Sequence, residues 1–141
     1  MAAALQRYIS QEGFKRAVLI GYSGGGVLAI LVAPHVASVV AVVTIAGNLD
    51  TDAWTHWHGY LPLEGSLNPA TEAALQNPML QLHLSGARDI NVPAALNERF
   101  MERVPREDQW IYADYGHVCC WVENWPDILS RLDTALERAP H

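Results

Sequence analysis

Cysteine and basic side chains are scarce in this sequence, and each scarcity excludes a class of protein. Cys119 and Cys120 are the only cysteines among 141 residues, and because neighbours in sequence rarely bridge without strain, we expect free thiols in a reducing compartment. Nine basic residues stand against fifteen acidic ones, and the net charge of −6 disfavours nucleic acid as a partner. Residues 1–7 lack the basic and apolar regions of a signal peptide, so the default expectation is a cytoplasmic protein.

A second absence is the lack of any Asp, Glu, Lys or Arg over residues 17–49, a stretch that hydropathy alone would flag as a membrane span. Gly21, the glycine run 24–26 and Pro34 divide this stretch into pieces too short to cross a bilayer as one helix. A broken helix would need a bundle of neighbouring helices, which the sequence does not supply. We therefore interpret the stretch as a buried strand, helix and strand, and we expect no membrane span.

Half of the residues are hydrophobic and 17% are charged, a composition typical of one soluble domain. Apolar periodicity and turn residues predict helices over residues 2–12, 25–33, 93–103 and 126–138, and strands over residues 15–21, 38–46, 79–84 and 109–113. Because strands alternate with helices, we expect an α/β fold with a parallel sheet of about four strands and flanking helices. Residues 1–141 are interpreted as a single domain, from which residues 47–78 form a long excursion.

The sequence from Gly21 to Gly25 matches the pattern G-x-S-x-G between a predicted strand and a predicted helix. In that context the serine stands on a sharp, strained turn from which its hydroxyl projects outward. The same turn places the hydroxyl at a helix N-terminus, where backbone N–H groups favour a developing oxyanion. Ser23 is therefore our candidate nucleophile.

Two further side chains follow later predicted strands. Asp89 lies in the loop after the third strand, and His117 lies in the loop after the fourth. Because the carboxyl ends of parallel strands meet at one edge of a sheet, we expect both side chains at the same edge as Ser23. A hydroxyl, a carboxylate and an imidazole at one site are the components of nucleophilic catalysis.

With serine first, acid second and histidine last, the chain resembles the C-terminal half of an α/β-hydrolase, and the resemblance covers nearly all of the sequence. It implies a serine hydrolase that cleaves a carboxylic ester, thioester or amide. In such an enzyme Ser23 would be the nucleophile, His117 the general base and Asp89 the acid that orients the histidine. The resemblance also implies that the N–H of Gly24 is one oxyanion donor and that no cofactor takes part.

The sequence departs from the family in one respect, because the part of the fold before the first predicted helix has no counterpart here. In the family, that part supplies the second oxyanion donor. Loss of one such donor typically costs about 10²- to 10³-fold in rate, so we expect an impaired enzyme. We also expect the strand over residues 15–21 to lie at a sheet edge, where it would pair with a missing N-terminal segment or with a second copy of the chain.

The long excursion over residues 47–78 stands where family members carry a cap over the active site, and long insertions of this kind are usually functional. Its aromatic side chains would either line an acyl or aromatic pocket or anchor the excursion onto the sheet. The candidate substrate-binding residues are Tyr22, Trp54, Trp57 and Tyr60.

Two other classes of function remain open. Residues 24–29 also fit the dinucleotide-binding pattern G-x-G-x-x-A, with Asp50 as the acid that would bind a ribose. Alternatively, the chain is a non-catalytic or partner-dependent interaction domain that retains the three polar residues as vestiges. His56 and His58 suggest a metal site, but because they have no third ligand nearby, we expect none.

Overall fold

Strands and helices alternate along the part of the chain that the computed structural model describes, residues 1–72 and 79–138. The elements are α1 (Ala2–Gln11), β1 (Ala17–Tyr22), α2 (Gly24–Val32), β2 (Val39–Ile45), α3 (Thr51–His58), β3 (Leu80–Gly86), α4 (Glu98–Met101), β4 (Gln109–Tyr112) and α5 (Trp125–Arg138). The four strands form one parallel sheet in the order β1-β2-β3-β4. This arrangement confirms the predicted α/β fold.

The register of the sheet brings the carboxyl ends of the strands together. Tyr22 at the end of β1 pairs with Ile45, and Ile45 pairs with Leu84. Gly86 at the end of β3 pairs with Tyr112 at the end of β4. The loops that carry the candidate serine, acid and histidine therefore leave the sheet at one edge.

The strand β2 is rich in β-branched residues, and its apolar side chains are buried on both faces of the sheet. Val42 packs with α1, α2 and α4 on one face, whereas Val43 and Ile45 pack with α5 on the other. Successive side chains of a strand point to opposite faces, so a strand that is buried on both sides is apolar at successive positions. Ile128 and Leu132 of α5, one helical turn apart, meet the second face.

The charge-free stretch over residues 17–49 contains β1, α2 and β2, as its glycines and proline predicted. Pro34 lies in a short 3-10 turn, Ala33–His35, which follows α2 directly. In the described ranges, no helix combines the length and the apolar character that crossing a membrane requires.

The strand β1 lies at an edge of the sheet, as expected. Among the described residues it pairs with β2 alone. Ile20 and Tyr22 on this strand are 43% and 44% exposed, and Leu28 of the following helix is 49% exposed. This edge of the sheet therefore presents apolar side chains and backbone N–H and C=O groups to solvent.

The helix predicted over residues 93–103 is wrong in its extent. The segment forms a 3-10 turn, Ala94–Asn97, followed by the single turn of α4. The buried side chain of Asn97 accepts from the N–H of Leu49 and donates to the carbonyl of Gly47, so a long-range contact decides the local backbone conformation. The predicted excursion over residues 47–78 contains α3, and its residues 73–78 lie outside the described ranges.

Candidate active site

Ser23 lies at the turn between β1 and α2, in a backbone conformation that residues other than glycine rarely adopt. Its φ is 52° and its ψ is −124°. The N–H of Ser23 donates to the carbonyl of Ile45 at 2.8 Å, and the carbonyl of Ser23 accepts from Gly26 at 2.9 Å. These bonds hold the turn in place, and such bonds allow a strained conformation to persist at a functional position.

The close approach of β1 to α2 depends on Gly21. A Cβ atom at this position would collide with the backbone carbonyl of Gly25. A Cβ atom at Gly25, in contrast, would meet nothing within 4 Å. Of the two glycines that frame the serine motif, Gly21 is thus the one that the packing of the turn requires.

His117 and Asp89 reach Ser23 from two other loops and form a continuous line of hydrogen-bonding side chains with it. The Nε2 atom of His117 lies 3.1 Å from Oγ of Ser23, and its Nδ1 atom lies 2.8 Å from Oδ2 of Asp89. The side chain of Asp89 is 1% exposed and that of His117 is 15% exposed. Because a carboxylate oxygen only accepts, Nδ1 donates to Asp89, and Nε2 is left to accept from the serine hydroxyl.

Asp89 belongs to the loop after β3, residues 87–93, which we call the acid loop. Its second carboxylate oxygen, Oδ1, accepts from the N–H groups of Asn91 at 2.9 Å and Val92 at 2.8 Å. Both oxygens of this buried carboxylate are therefore paired, which offsets the cost of removing it from water. A Cβ atom at Gly86 would collide with the carbonyl of Tyr115, so glycine at the end of β3 lets the acid and histidine regions approach.

The loop after β4, residues 113–124, carries His117 and is called the histidine loop. The backbone carbonyl of His117 accepts from the hydroxyl of Tyr22 at 3.0 Å and from the indole N–H of Trp121 at 2.9 Å. Burial, and then the negative charge of Asp89, raise the pKa of Tyr22, so its hydroxyl keeps the proton that it donates. Tyr22, a candidate substrate-binding residue, thus also holds the histidine loop.

The expectation of free thiols is wrong, because Cys119 and Cys120 are joined in a disulfide within the histidine loop. Cys120 has a φ of 84°, and this left-handed conformation turns the two neighbouring side chains toward each other. The expectation of a reducing compartment rested on free thiols and loses that support.

The helix α3 lies against the acid loop through two side chains. The Nε1 atom of Trp54 and the Nε2 atom of His58 both donate to the carbonyl of Asn91, at 3.0 and 2.8 Å. Trp57 and Tyr60, in contrast, are 61% and 58% exposed. The structure thus gives Trp54 an anchoring contact, which was one of the two alternatives for the aromatic residues of the excursion, and leaves Trp57 and Tyr60 facing solvent.

Sequence reasoning missed the residues that hold α3 in place. Asp50 caps the helix by accepting from the N–H of Ala53, and Arg99 donates to its carboxylate through two bonds of 2.8 and 2.9 Å. Burial alone would raise the pKa of Asp50, but hydrogen bonds from Asn68, Ala53 and Arg99 outweigh it and lower the pKa. Because these bonds occupy the carboxylate of Asp50, it is not free to bind the ribose of a dinucleotide, which argues against a dinucleotide site. The one available signal was an aspartate directly before a helix, the usual N-cap residue.

Several solved structures similar to this chain are hydrolases. An esterase from Pyrococcus furiosus superposes with a TM-score of 0.68 at 19% identity, over 98% of this chain and 61% of that one. An esterase domain from a Rhodothermus marinus protein gives 0.70 at 20% identity, over 96% and 66%. An α/β-hydrolase from a Penicillium species gives 0.72 at 15% identity, over 98% and 71%. No protein-family model and no curated protein matches the sequence.

The fold that these structures define is the α/β-hydrolase fold, and this chain has part of it. The chain spans 61% of the length of the Pyrococcus esterase and 66% of that of the Rhodothermus domain. The resemblance predicted from the order of serine, acid and histidine is thereby confirmed at the level of the fold. At these sequence identities the likeness does not extend to the reaction, which has to be argued from the site itself.

Proposed function

We propose that the chain is a serine hydrolase of the α/β-hydrolase type, in which Ser23 attacks the carbonyl carbon of a carboxylic ester. The observation that carries this proposal is the unbroken line from Ser23 through His117 to Asp89, with distances of 3.1 and 2.8 Å. Side chains of these types in this geometry make a serine hydroxyl nucleophilic on unrelated folds. The similar esterases favour an ester over a thioester or an amide as the bond that is cleaved.

Each proposed step uses an atom of this site. Nε2 of His117 takes the hydroxyl proton as Oγ of Ser23 bonds to the carbonyl carbon, and Asp89 stabilises the imidazolium that forms. His117 then returns the proton to the leaving alcohol oxygen as the C–O bond breaks, which leaves an acyl group on Ser23. Water, deprotonated by the same nitrogen, then attacks this acyl group. As the bond between the acyl carbon and Oγ breaks, the imidazolium returns the proton to Oγ, which releases a carboxylic acid and the free serine. These steps use neither a metal nor a cofactor.

The negative oxygen of the tetrahedral intermediate would be stabilised at the N-terminus of α2. Gly24 is the first residue of this helix, and the first N–H groups of a helix have no acceptor within it. We infer that the N–H of Gly24 donates to this oxygen. A site that lacks one of two such donors is expected to be about 10²- to 10³-fold slower than a complete one.

We further propose that a strand added to the outer edge of β1 brings the second oxyanion donor. The exposed Ile20 and Tyr22 support this proposal, since an apolar edge strand readily accepts another strand. The added strand would come from a second copy of the chain or from an additional N-terminal segment of the hydrolase fold. Specific activity measured together with molar mass over a range of protein concentrations tests the first source, because activity should rise as dimers form. A monomer whose activity is independent of concentration would contradict it.

The substrate class is inferred from the candidate aromatic side chains, of which Tyr22 alone is a sequence neighbour of Ser23. Tyr22 adjoins Ser23, and Trp57 and Tyr60 are exposed beside the part of α3 that contacts the acid loop. Aromatic surfaces favour apolar groups, so we infer that the substrate is a small, neutral, acyl-bearing ester.

Hydrolysis of p-nitrophenyl esters by the purified protein tests the proposed function. The parent protein should release nitrophenol with saturation kinetics. Ser23→Ala should fall to the background rate, since loss of a triad serine costs about 10⁶-fold in kcat. Ser10→Ala removes an exposed serine of α1 and, as a matched control, should hydrolyse the ester at the parent rate. Equal rates in the parent and in Ser23→Ala would overturn the proposal.

A further inference from the structure

One peptide group, the one between Asn91 and Val92, joins α3 to the carboxylate of Asp89. Its carbonyl oxygen accepts from Trp54 at 3.0 Å and from His58 at 2.8 Å. Its N–H donates to Oδ1 of Asp89 at 2.8 Å. Because the other carboxylate oxygen faces the imidazole of the site, a line of hydrogen bonds runs from α3 to the reacting groups.

The chemistry of the two donors fixes the direction of these bonds. An indole N–H only donates and a carbonyl oxygen only accepts, so Nε2 of His58 carries a proton. An amide whose oxygen accepts two hydrogen bonds is polarised, which strengthens the donation by its own N–H. The peptide group is planar and trans, so fixing its oxygen also fixes the direction in which its N–H points.

The two donors are held in place by their own packing. Trp54 and His58 are four residues apart on α3 and therefore share one face of the helix, with ring centroids 5.1 Å apart. The ring of Tyr60 stacks on His58 at an interplanar angle of 14°. The helix is capped by Asp50 at its start and ends at Gly59, whose φ is 66°. Both donors thus stand on a short, fixed element.

We propose that Trp54 and His58 are positioning residues that clamp the peptide group between Asn91 and Val92, so that its N–H holds Asp89 in line with His117. The catalytic consequence rests on the proposed function, whereas the clamp itself is measurable without a substrate. Without the clamp, the acid loop gains freedom and Asp89 orients the imidazole for a smaller fraction of the time. The chemical step should then slow while substrate binding changes little.

Four variants separate the clamp from a general role of α3 in stability. Trp54→Phe keeps an aromatic ring and removes the indole N–H. His58→Leu removes the second donor, and His58→Gln returns an N–H donor at a similar reach. His56→Leu removes an exposed histidine from the same helix and is the matched control.

With a p-nitrophenyl ester as substrate, each lost hydrogen bond should lower kcat about 5- to 10-fold, with KM changed less than about twofold. We expect this result for Trp54→Phe and His58→Leu. His58→Gln should recover most of the loss, and His56→Leu should match the parent. Equal losses in His58→Gln and His58→Leu, or a rise in KM with kcat unchanged, would overturn the clamp.

Proton NMR tests the clamp without reference to activity. A proton held between Nδ1 of His117 and Asp89, away from water, gives a resonance far downfield of the amide region. We expect this resonance in the parent and in the His56→Leu control, and its loss through faster solvent exchange in Trp54→Phe and His58→Leu. An unchanged resonance in both variants would overturn the clamp, even where Ser23→Ala abolishes hydrolysis. A lost resonance would support the clamp even where Ser23→Ala hydrolyses the ester normally, a result that overturns the proposed function alone.

Discussion

The histidine loop and the acid loop meet at Ser23, and both are held through a backbone carbonyl that accepts two hydrogen bonds. In the histidine loop the carbonyl of His117 accepts from Tyr22 and Trp121. In the acid loop the carbonyl of Asn91 accepts from two side chains of α3. The same arrangement therefore supports the base and the acid of the proposed site, but its donors come from different parts of the chain.

The difference lies in how far along the chain each loop finds its support. Trp121 lies four residues after His117, within the histidine loop itself. The two donors to Asn91 lie 37 and 33 residues before it, in the long excursion. The geometry of the acid loop thus depends on α3, which changes elsewhere in the excursion would disturb. The histidine loop, in contrast, has one anchor, Trp121, within the loop itself.

The largest expected effect comes from removing the imidazole that both loops serve. His117→Ala should lower kcat for ester hydrolysis about 10⁶-fold, since a missing base leaves the serine hydroxyl protonated. Steady-state kinetics against His35→Ala, which removes an exposed histidine, measures the effect. Comparable rates in the two variants would show that the histidine loop carries no base.

A smaller loss is expected from the acid loop. Asp89→Asn keeps the shape of the side chain but removes its charge, and kcat should fall about 10⁴-fold because the imidazole is no longer held in the useful tautomer. Asp114→Asn is the matched control, since Asp114 is 75% exposed and forms an ion pair with Arg88. If Asp89→Asn lost no more activity than this control, the acid loop would have no part in the reaction.

The anchors of the histidine loop should matter less than its imidazole. Tyr22→Phe removes one of the two donors to the carbonyl of His117, and kcat should fall about fivefold, the effect of one hydrogen bond. Tyr8→Phe alters an exposed tyrosine of α1 and should have no effect. A loss as large as that from His117→Ala would mean that Tyr22 takes part in the chemistry rather than in holding the loop.

The strand beneath the acid loop carries a buried titratable group that has no counterpart beneath the histidine loop in the described part of β4. The Nδ1 atom of His83 on β3 lies 2.8 Å from Oγ1 of Thr44, and among the described residues its Nε2 has no hydrogen-bond partner. Burial lowers the pKa of His83 from 6.5 to about 3. The folded protein therefore holds this imidazole neutral.

This depressed pKa makes stability depend on pH in one direction. As the pH falls from 6.5 toward 3, the unfolded chain takes up a proton that the folded chain does not, so the contribution to stability is present above pH 6.5 and is lost below it. His83→Gln removes the titrating group, and its Tm should fall less steeply with acidification than that of the parent. Parallel Tm curves for the two proteins would contradict this assignment.

The sequence was sufficient to predict that the three polar residues of the candidate site lie close together, and the reason is physical. Ser23, Asp89 and His117 each follow a strand end, and parallel strands end at one edge. The sequence did not predict that Trp54 and His58 hold the acid loop, because their bonds to Asn91 span dozens of residues and have no local pattern. Residues that directly follow predicted strands were thus easier to place than residues, such as Trp54 and His58, whose contacts leave no pattern in the sequence.

Two expectations were incorrect, for different reasons. The helix predicted over residues 93–103 is interrupted because the side chain of Asn97 bonds to the loop after β2, a contact that outweighs local helix propensity. The free thiols were expected from a general rule about neighbouring cysteines, whereas the left-handed backbone at Cys120 brings the two side chains together. At Asn97 a long-range contact accompanies the change of backbone conformation, whereas at Cys120 the conformation of a single residue brings two neighbouring side chains together.

Reaction with a fluorophosphonate followed by peptide mass mapping tests most directly whether Ser23 is an activated nucleophile. The reagent bonds covalently to a serine oxygen only where a neighbouring base activates it. We predict a single adduct on the peptide that contains Ser23, strong suppression of labelling in His117→Ala and none in Ser23→Ala. An adduct on another residue, or undiminished labelling of Ser23→Ala, would contradict the assignment of a hydrolytic site to this edge of the sheet.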